Sequence, residues 1–292
     1  MYKAIADAVA DAEACGTTLA RVALDLEAQD QGRSVEEIRQ SLGRALHVMR
    51  GSVDAGLVGD LRSNSGLVGG DAAKLAASTA GPMAGTLLHD ILARALAVQE
   101  VNSAMGVIVA APTAGGAGVL PAVLTGLASA RGIPDDRVID ALATAGLIGA
   151  VIAERASLSG AEGGCQAETG AAAAMAAGAG TEMLGGSPRQ AGHATALAMQ
   201  STLGLVCDPI GGLVELPCVF RNTTGAAIAM AAIEMALAGI EFAIPVDEVI
   251  DVMGQIGREM DVRYRETAGG GLAATPTGRR IAKERLHQIR RA

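Results

Sequence analysis

Apolar residues recur at three- and four-residue steps along most of this 292-residue chain, the spacing that gathers them on one face of an α-helix. The pattern is plain in "IADAVADAEACGTTLARVALDLEAQ" (5–29) and in "SVEEIRQSLGRALHVMRGSVDAGL" (34–57). Ser34 with Glu37 forms a capping-box signature at the head of the second. "GPMAGTLLHDILARALAVQEVNSAMG" predicts a helix starting on Gly81-Pro82 and ending at Gly106, and "PDDRVIDALATAGLIGAVIAERA" predicts one with Pro134 in its first turn. "SPRQAGHATALAMQSTLGLV" places an N-cap serine before a proline at the first helical position, and Pro245 repeats the device in "PVDEVIDVMGQIGREM". Only "GVIVAAP" and "GGLVEL" read as strands, and both are short. The fold class expected is all-α, a multi-helix bundle whose helices are separated by glycine-rich loops. One domain over 1–292 is expected, with residues 1–40 as a candidate helical arm.

Composition sharpens this picture. Half the residues are hydrophobic, yet only Tyr2, Phe220, Phe242 and Tyr264 are aromatic, so small aliphatic side chains must build the core. Such residues let helix backbones approach closely. Net charge is −8, from 23 basic and 31 acidic residues. An acidic chain with so few aromatics lacks the footprint of a nucleic-acid binder. The basic tail "GRRIAKERLHQIRRA" reads as a solvated helix face. Residues 101–130 carry no Asp, Glu, Lys or Arg, a run long enough to span a bilayer. Asn102, Pro112, Gly115, Gly116, Gly118 and Pro121 interrupt that run, so buried helices are expected there and not a membrane span. The N-terminus, with Asp7, Asp11 and Glu13 at helical spacing, is unlike a secretory signal, and the expected location is cytoplasmic.

Five loops stand apart: 63–74, 111–121, 159–168, 207–218 and 265–278 all join glycine pairs to Ser, Thr, Asp or Glu. Glycine lets backbone N–H groups approach a ligand unobstructed, and five such loops together predict convergence on a small anion. Three of the four cysteines lie in them. Cys165, Cys207 and Cys218 each adjoin glycine or proline, while Cys15 sits on an amphipathic helix and reads as a buried or idle thiol. A disulfide framework is not expected in this setting. Three thiols without C-x2-C knuckles do not suit structural zinc. They leave open a [4Fe–4S] cluster with one free iron or three ordinary core cysteines. By spacing alone the two readings are equal.

The strings "SGLVGGDAAKL", "PTAGGAGVLPAVL", "GAEGGCQAETGAAAAMAA" and "GLVCDPIGGLVELPC" followed by "RN" resemble the α-subunit of the iron–sulfur-dependent L-serine dehydratases (L-serine ammonia-lyases), over about residues 40–280. The resemblance implies a [4Fe–4S] cluster held by Cys165, Cys207 and Cys218, with its open iron acting as a Lewis acid on the serine β-hydroxyl. It implies a serine pocket lined by Ser65, Gly66, Gly69, Gly70, Thr113, Gly115 and Gly116, and deamination of L-serine to pyruvate and ammonia. The family usually has serine where Gly116 stands, which removes one hydroxyl contact. It also implies a β portion bearing a Ser-Ser-His-Thr stretch, absent from this sequence, so a β-subunit partner is expected. Some single-chain members end in a cysteine that can occupy the open iron, whereas this sequence ends "QIRRA".

The general base is open. His193, on the helix leading to Cys207, is the weak local candidate, against His47, His89 and His287 on helix faces or in the tail, and a histidine of the β partner is the stronger one. Glu162 and Glu168 flank Cys165 and could orient ligands, although Glu168 suits a helix cap equally well. Three alternatives remain at this level. Lys74 is the sole candidate for a pyridoxal Schiff base, a similar cluster could serve cysteine desulfidation, and a silent chain could act as scaffold for a β-type partner.

Overall fold

The computed structural model describes residues 2–78, 83 and 85–289, with backbone alone for the last four. Among them helices dominate and no strand forms, as the periodicity predicts. The first apolar pattern divides at Gly16, whose φ of +60° ends α1 (Ile5–Ala14) before Thr18 caps α2 (Leu19–Gln31). The Ser34–Glu37 capping box heads α3 (Val35–Leu57) as read. The short α4 (Asp71–Ala76) and the long α5 (Gly85–Ser103) follow. The Gly81-Pro82 start expected for α5 lies outside the described residues.

After α6 (Val119–Arg131) comes α7 (Asp135–Arg155). Then come α8 (Gly160–Gly163), α9 (Ala171–Met183) and α10 (Pro188–Gln200), the last with Pro188 in its first turn and a Ser187–Gln190 capping box. The chain closes with α11 (Cys218–Leu237), α12 (Val246–Glu259) and α13 (Pro276–Ile289). Pro134 and Pro245 sit one residue earlier than expected, as extended N-cap residues with ψ of 156° and 143°. The fixed φ of proline suits that position as well as the first turn. The two strand expectations fail. Residues 107–111 have no pairing partner and Ile210–Gly212 is a 3₁₀ turn, so the one bridge described joins Cys207 and Arg265.

The alanine tract forms the centre. Every residue of α9 is buried, and α6, α7, α10 and α11 pack around it. The small residues set the spacing. A Cβ at Gly178 would lie 2.4 Å from Ile148 Cδ1 and 2.5 Å from Thr195 Oγ1, and one at Gly180 would lie 2.6 Å from Ile233 Cδ1. Backbones this close exclude any larger side chain.

Three helix starts are satisfied by acids distant in sequence. The first backbone N–H groups of a helix lack partners within it and favour a negative charge. Glu182, at the end of α9, accepts the N–H groups of Leu19 (2.7 Å) and Ala20 (2.9 Å) and the hydroxyl of Thr144 (2.8 Å). Asp247 receives Ile5 N–H and Ala6 N–H, and Glu100 receives Gly70, Asp71 and Ala72 N–H. The buried acids in apolar tracts thus fasten α1, α2 and α4 to the body. Leu19, Ala20 and Leu24 pack with Ala143, Leu147 and Ala191 in one apolar cluster. No described helix is long and apolar enough to cross a membrane.

Candidate active site

Two of the three loop cysteines sit at helix starts and the third in a clamped loop. Gly164, at φ +77°, turns the chain from α8 into Cys165, and a π-helical turn at Gln166–Gly170 then runs into α9. A Cβ on Gly164 would lie 2.8 Å from the sulfur of Met260 and 2.9 Å from the carbonyl of Leu205. Single π turns inside helices are frequent at functional sites. Here the turn carries Glu168, follows Cys165 directly and leads into the central helix. Cys207 is clamped by backbone bonds, donating its N–H to Tyr264 (2.8 Å) and accepting from Glu266 (2.8 Å). Cys218 is the first residue of α11. All three are buried free thiols, and Cys15 is exposed at the end of α1, which settles its reading against burial.

The three thiols lie within electrostatic reach of one another. Burial first, then the Cys165, Glu168 and Cys218 charges, push the Cys207 thiol well above its ordinary range. Burial and then Cys165 raise Cys218 to about 12. Burial also raises Cys165, against a contact to Thr169 Oγ1 at 3.2 Å and the Arg221 charge, which favour its thiolate. Burial raises Glu168 as well, with the Thr113 hydroxyl opposing. Burial in a low-dielectric pocket thus favours the protonated form of all three thiols, and a bound cation would reverse that preference.

The glycine loops close around this group. Thr113 donates its hydroxyl to Glu168 Oε1 at 2.6 Å, and the other oxygen of Glu168 lies 3.9 Å from Cys207 Sγ. Gly115 and Gly160 leave room for that carboxylate, since a Cβ on either would fall within 3 Å of it. Gly116 faces the backbone of the π turn, where a Cβ would lie 2.9 Å from Glu168 O and 3.1 Å from Ala172 Cβ. This packing gives glycine a reason at that position. Asn222 ties the loop to α11, donating to Gly115 O (2.7 Å) and Cys218 O (2.9 Å) and accepting from Gly118 N–H (2.9 Å).

The 63–74 loop joins through an acid. Ser63 and Ser65 both donate to buried Glu215, which lies between Cys207 and Cys218. Gly66, Gly69 and Gly70 all hold positive φ, and a Cβ on Gly69 would lie 2.2 Å from Leu61 O. The 265–278 loop docks on Asp208, whose Oδ2 accepts Leu272 N–H at 2.6 Å and whose Oδ1 pairs with Arg221 at 2.8 Å. Glu266 and Ala268 hold left-handed backbone there, at φ +62° and +54°, a conformation that costs non-glycine residues energy and clusters at functional sites.

Other sequence candidates fall elsewhere. His193 accepts Phe242 N–H at Nδ1 (3.3 Å) and lies 3.8 Å from Glu241, so both its contacts go to the α11–α12 connection. His47 is exposed on α3 and His89 is half-buried on α5, while the side chain of His287 lies outside the described residues. Lys74 pairs with Asp71 at the surface. Glu162 is exposed and accepts from Ser157. Sequence reading missed Glu215, Asn222, Arg221 and Glu266. The "RN" after Cys218 was one available signal, but nothing in the pattern marked the carboxylates as partners of remote loops.

Among the described residues no three His, Cys, Asp or Glu side chains are placed to hold one metal ion. A polynuclear cluster asks something different of its ligands, one thiolate for each of several irons. The donor set fits that demand: three buried thiols on three convergent segments, none in a disulfide.

A family model described as "Serine dehydratase alpha chain" matches residues 14–273. A protein named "Probable L-serine dehydratase, alpha chain" from Bacillus subtilis is 49% identical over 265 residues, covering 90% of this chain and 87% of its own. The "L-serine dehydratase, alpha chain" of Peptoniphilus asaccharolyticus is 40% identical over 275 residues, 94% of each chain. The "L-serine dehydratase" of Streptomyces coelicolor is 43% identical over 265 residues, 88% of this chain but 58% of its own.

Proposed function

This chain belongs to the serine dehydratase alpha chain family, and from that premise we propose that it is the thiol-bearing half of an enzyme that deaminates L-serine. The reaction removes the α-proton and the β-hydroxyl as water, and the resulting aminoacrylate tautomerises and hydrolyses to pyruvate and ammonia. The observation that carries the reading is the sharing of Glu168 between the Thr113 loop and Cys207, because it joins a glycine-rich ligand loop to the buried thiols.

Cys165, Cys207 and Cys218 would hold a [4Fe–4S] cluster, which when bound supplies a Lewis acid that makes the departing hydroxide less basic. The chain's own residues then position and enclose the substrate. Thr113, whose hydroxyl is held by Glu168, would line the pocket with Gly115 and Gly116, and Gly66 and Gly69 would line it from the 63–74 loop. Ser65 commits its hydroxyl to Glu215 and Gly70 its N–H to Glu100, so these two hold the loop in shape. Fixed loop donors of this kind contribute orientation and electrostatic stabilisation without reorganising. The α-proton acceptor is assigned to a β-subunit, in keeping with the extra length of the Streptomyces relative and with the contacts of His193, which point away to Phe242 and Glu241. A cytoplasmic setting suits reduced thiols.

The test is anaerobic purification with iron and acid-labile sulfide measured per chain, followed by pyruvate release from L-serine with and without a β-subunit. Iron, sulfide and turnover that requires the second chain support the reading. Absence of iron after anaerobic reconstitution overturns the cluster, and full turnover by this chain alone overturns the assignment of the base.

A further inference from the structure

Behind the segment that carries Cys165, α12 packs directly on α8. A Cβ at Gly257 would lie 2.9 Å from the Cα of Gly163, so the two backbones touch. Beside that contact lies a cavity of about 350 Å³, lined by Gly163, Ala167, Ala156, Ala161 and Met253. Two arginines line it, Arg258 from α12 and Arg265 from the loop bridged to Cys207. The Nε of Arg265 is buried and has no hydrogen-bond partner. Arg258 folds back along its helix, its Nη1 lying 3.2 Å from where a Gly254 Cβ would stand. No hydrogen bond or ion pair of its guanidinium is found among the described residues. Asp261 feels the Arg265 charge, but Arg263 already engages both its oxygens.

A buried guanidinium N–H without an acceptor is costly, and a planar fork of donors matches a carboxylate. The charged side chains lining the cavity are the two arginines and Glu162, whose carboxylate accepts the Ser157 hydroxyl at 2.6 Å. The lining groups leave one positive charge, which a monoanion balances. The alanine and methionine walls suit a short apolar end. We propose that this cavity binds a short-chain monocarboxylate, its carboxylate on Arg265 and Arg258 and its alkyl end against Ala161 and Met253. Its lining includes neither Thr113, Glu168 nor any of the three thiols, and the proposal stands whether or not the chain holds a cluster.

The experiment is calorimetric titration of the full-length, iron-free chain with propionate, pyruvate and inorganic phosphate at constant ionic strength. One propionate or pyruvate per chain is expected, with phosphate at least tenfold weaker. Arg265→Met and Arg258→Met should each weaken propionate at least tenfold, and Thr113→Val and Arg131→Met should leave it unchanged. Should Arg265→Met fail to fold, Ala161→Trp fills the cavity without removing charge and is expected to abolish binding. No propionate binding by the parent chain, unchanged binding in Arg258→Met and Ala161→Trp, or loss in Thr113→Val overturns the site. Phosphate binding as tightly as propionate overturns the monocarboxylate class. Iron content and serine turnover are not read, so this outcome is independent of the proposed reaction.

Discussion

Glu215, between Cys207 and Cys218, accepts the Ser63 hydroxyl at 2.8 Å and takes the Ser65 hydroxyl on the same oxygen. One buried carboxylate therefore fastens the 63–74 loop to the segment that bears two thiols. Glu215→Ala would remove the carboxylate to which both buried hydroxyls donate, a loss of about 1–3 kcal/mol. Denaturant unfolding of the iron-free chain should show that loss, with Glu215→Gln closer to the parent. Equal stability of all three would refute the fastening role.

Cys165→Ala, Cys207→Ala and Cys218→Ala should each lower iron and sulfide per chain sharply, while Cys15→Ala should not, because Cys15 is exposed and apart. Iron analysis after anaerobic reconstitution decides it, and a full complement in any of the first three removes that residue from the ligand set.

Gly115 leaves space for the Glu168 carboxylate, which a Cβ would meet at 2.8 Å. Gly115→Ala should displace that group and break its bond from Thr113. A displacement of about 1 Å in a positioned group costs about 100-fold in activity. The expected result is a fall in kcat/KM with the unfolding midpoint nearly kept, and parental kinetics would show that the Thr113–Glu168 contact does not matter.

Glu182 serves two helix N–H groups and the Thr144 hydroxyl at 2.7–2.9 Å. Removing this charged acceptor in Glu182→Ala should cost about 3 kcal/mol, visible as a lower urea midpoint. Protection of the α2 amides in hydrogen exchange should fall with it.

The thiols also set a pH dependence. In the iron-free folded chain all three are raised, Cys218 to about 12, whereas unfolded thiols ionise near about 8.5. The unfolded state therefore releases protons first as pH rises. Stability from these groups is complete below about pH 8.5 and is lost progressively toward pH 12. Unfolding free energy measured from pH 7.5 to 10.5 should decline, and Cys207→Ser with Cys218→Ser should flatten the slope. A parent curve as flat as the variant's would contradict the buried, protonated state.

Periodicity and capping determined the helices, because each depends on residues three or four apart. Ser34 with Glu37 and Ser187 with Pro188 needed no tertiary information. Local spacing misplaced Pro134 and Pro245 by one residue, since a proline φ fits both sides of a helix start. The glycine loops and the framed cysteines were legible as well, and their strings carried the family likeness.

What the sequence determined by itself is therefore most of what near neighbours set: helix faces, caps, glycine turns and which thiols lie in them. Tertiary structure alone decided which distant groups meet. Glu168 reaches Thr113 across 55 positions, Glu215 reaches Ser65 across 150 and Glu182 reaches Leu19 across 163. A carboxylate has no periodicity that names its partner, and the partner is fixed only when packing around the buried α9 brings both to one place.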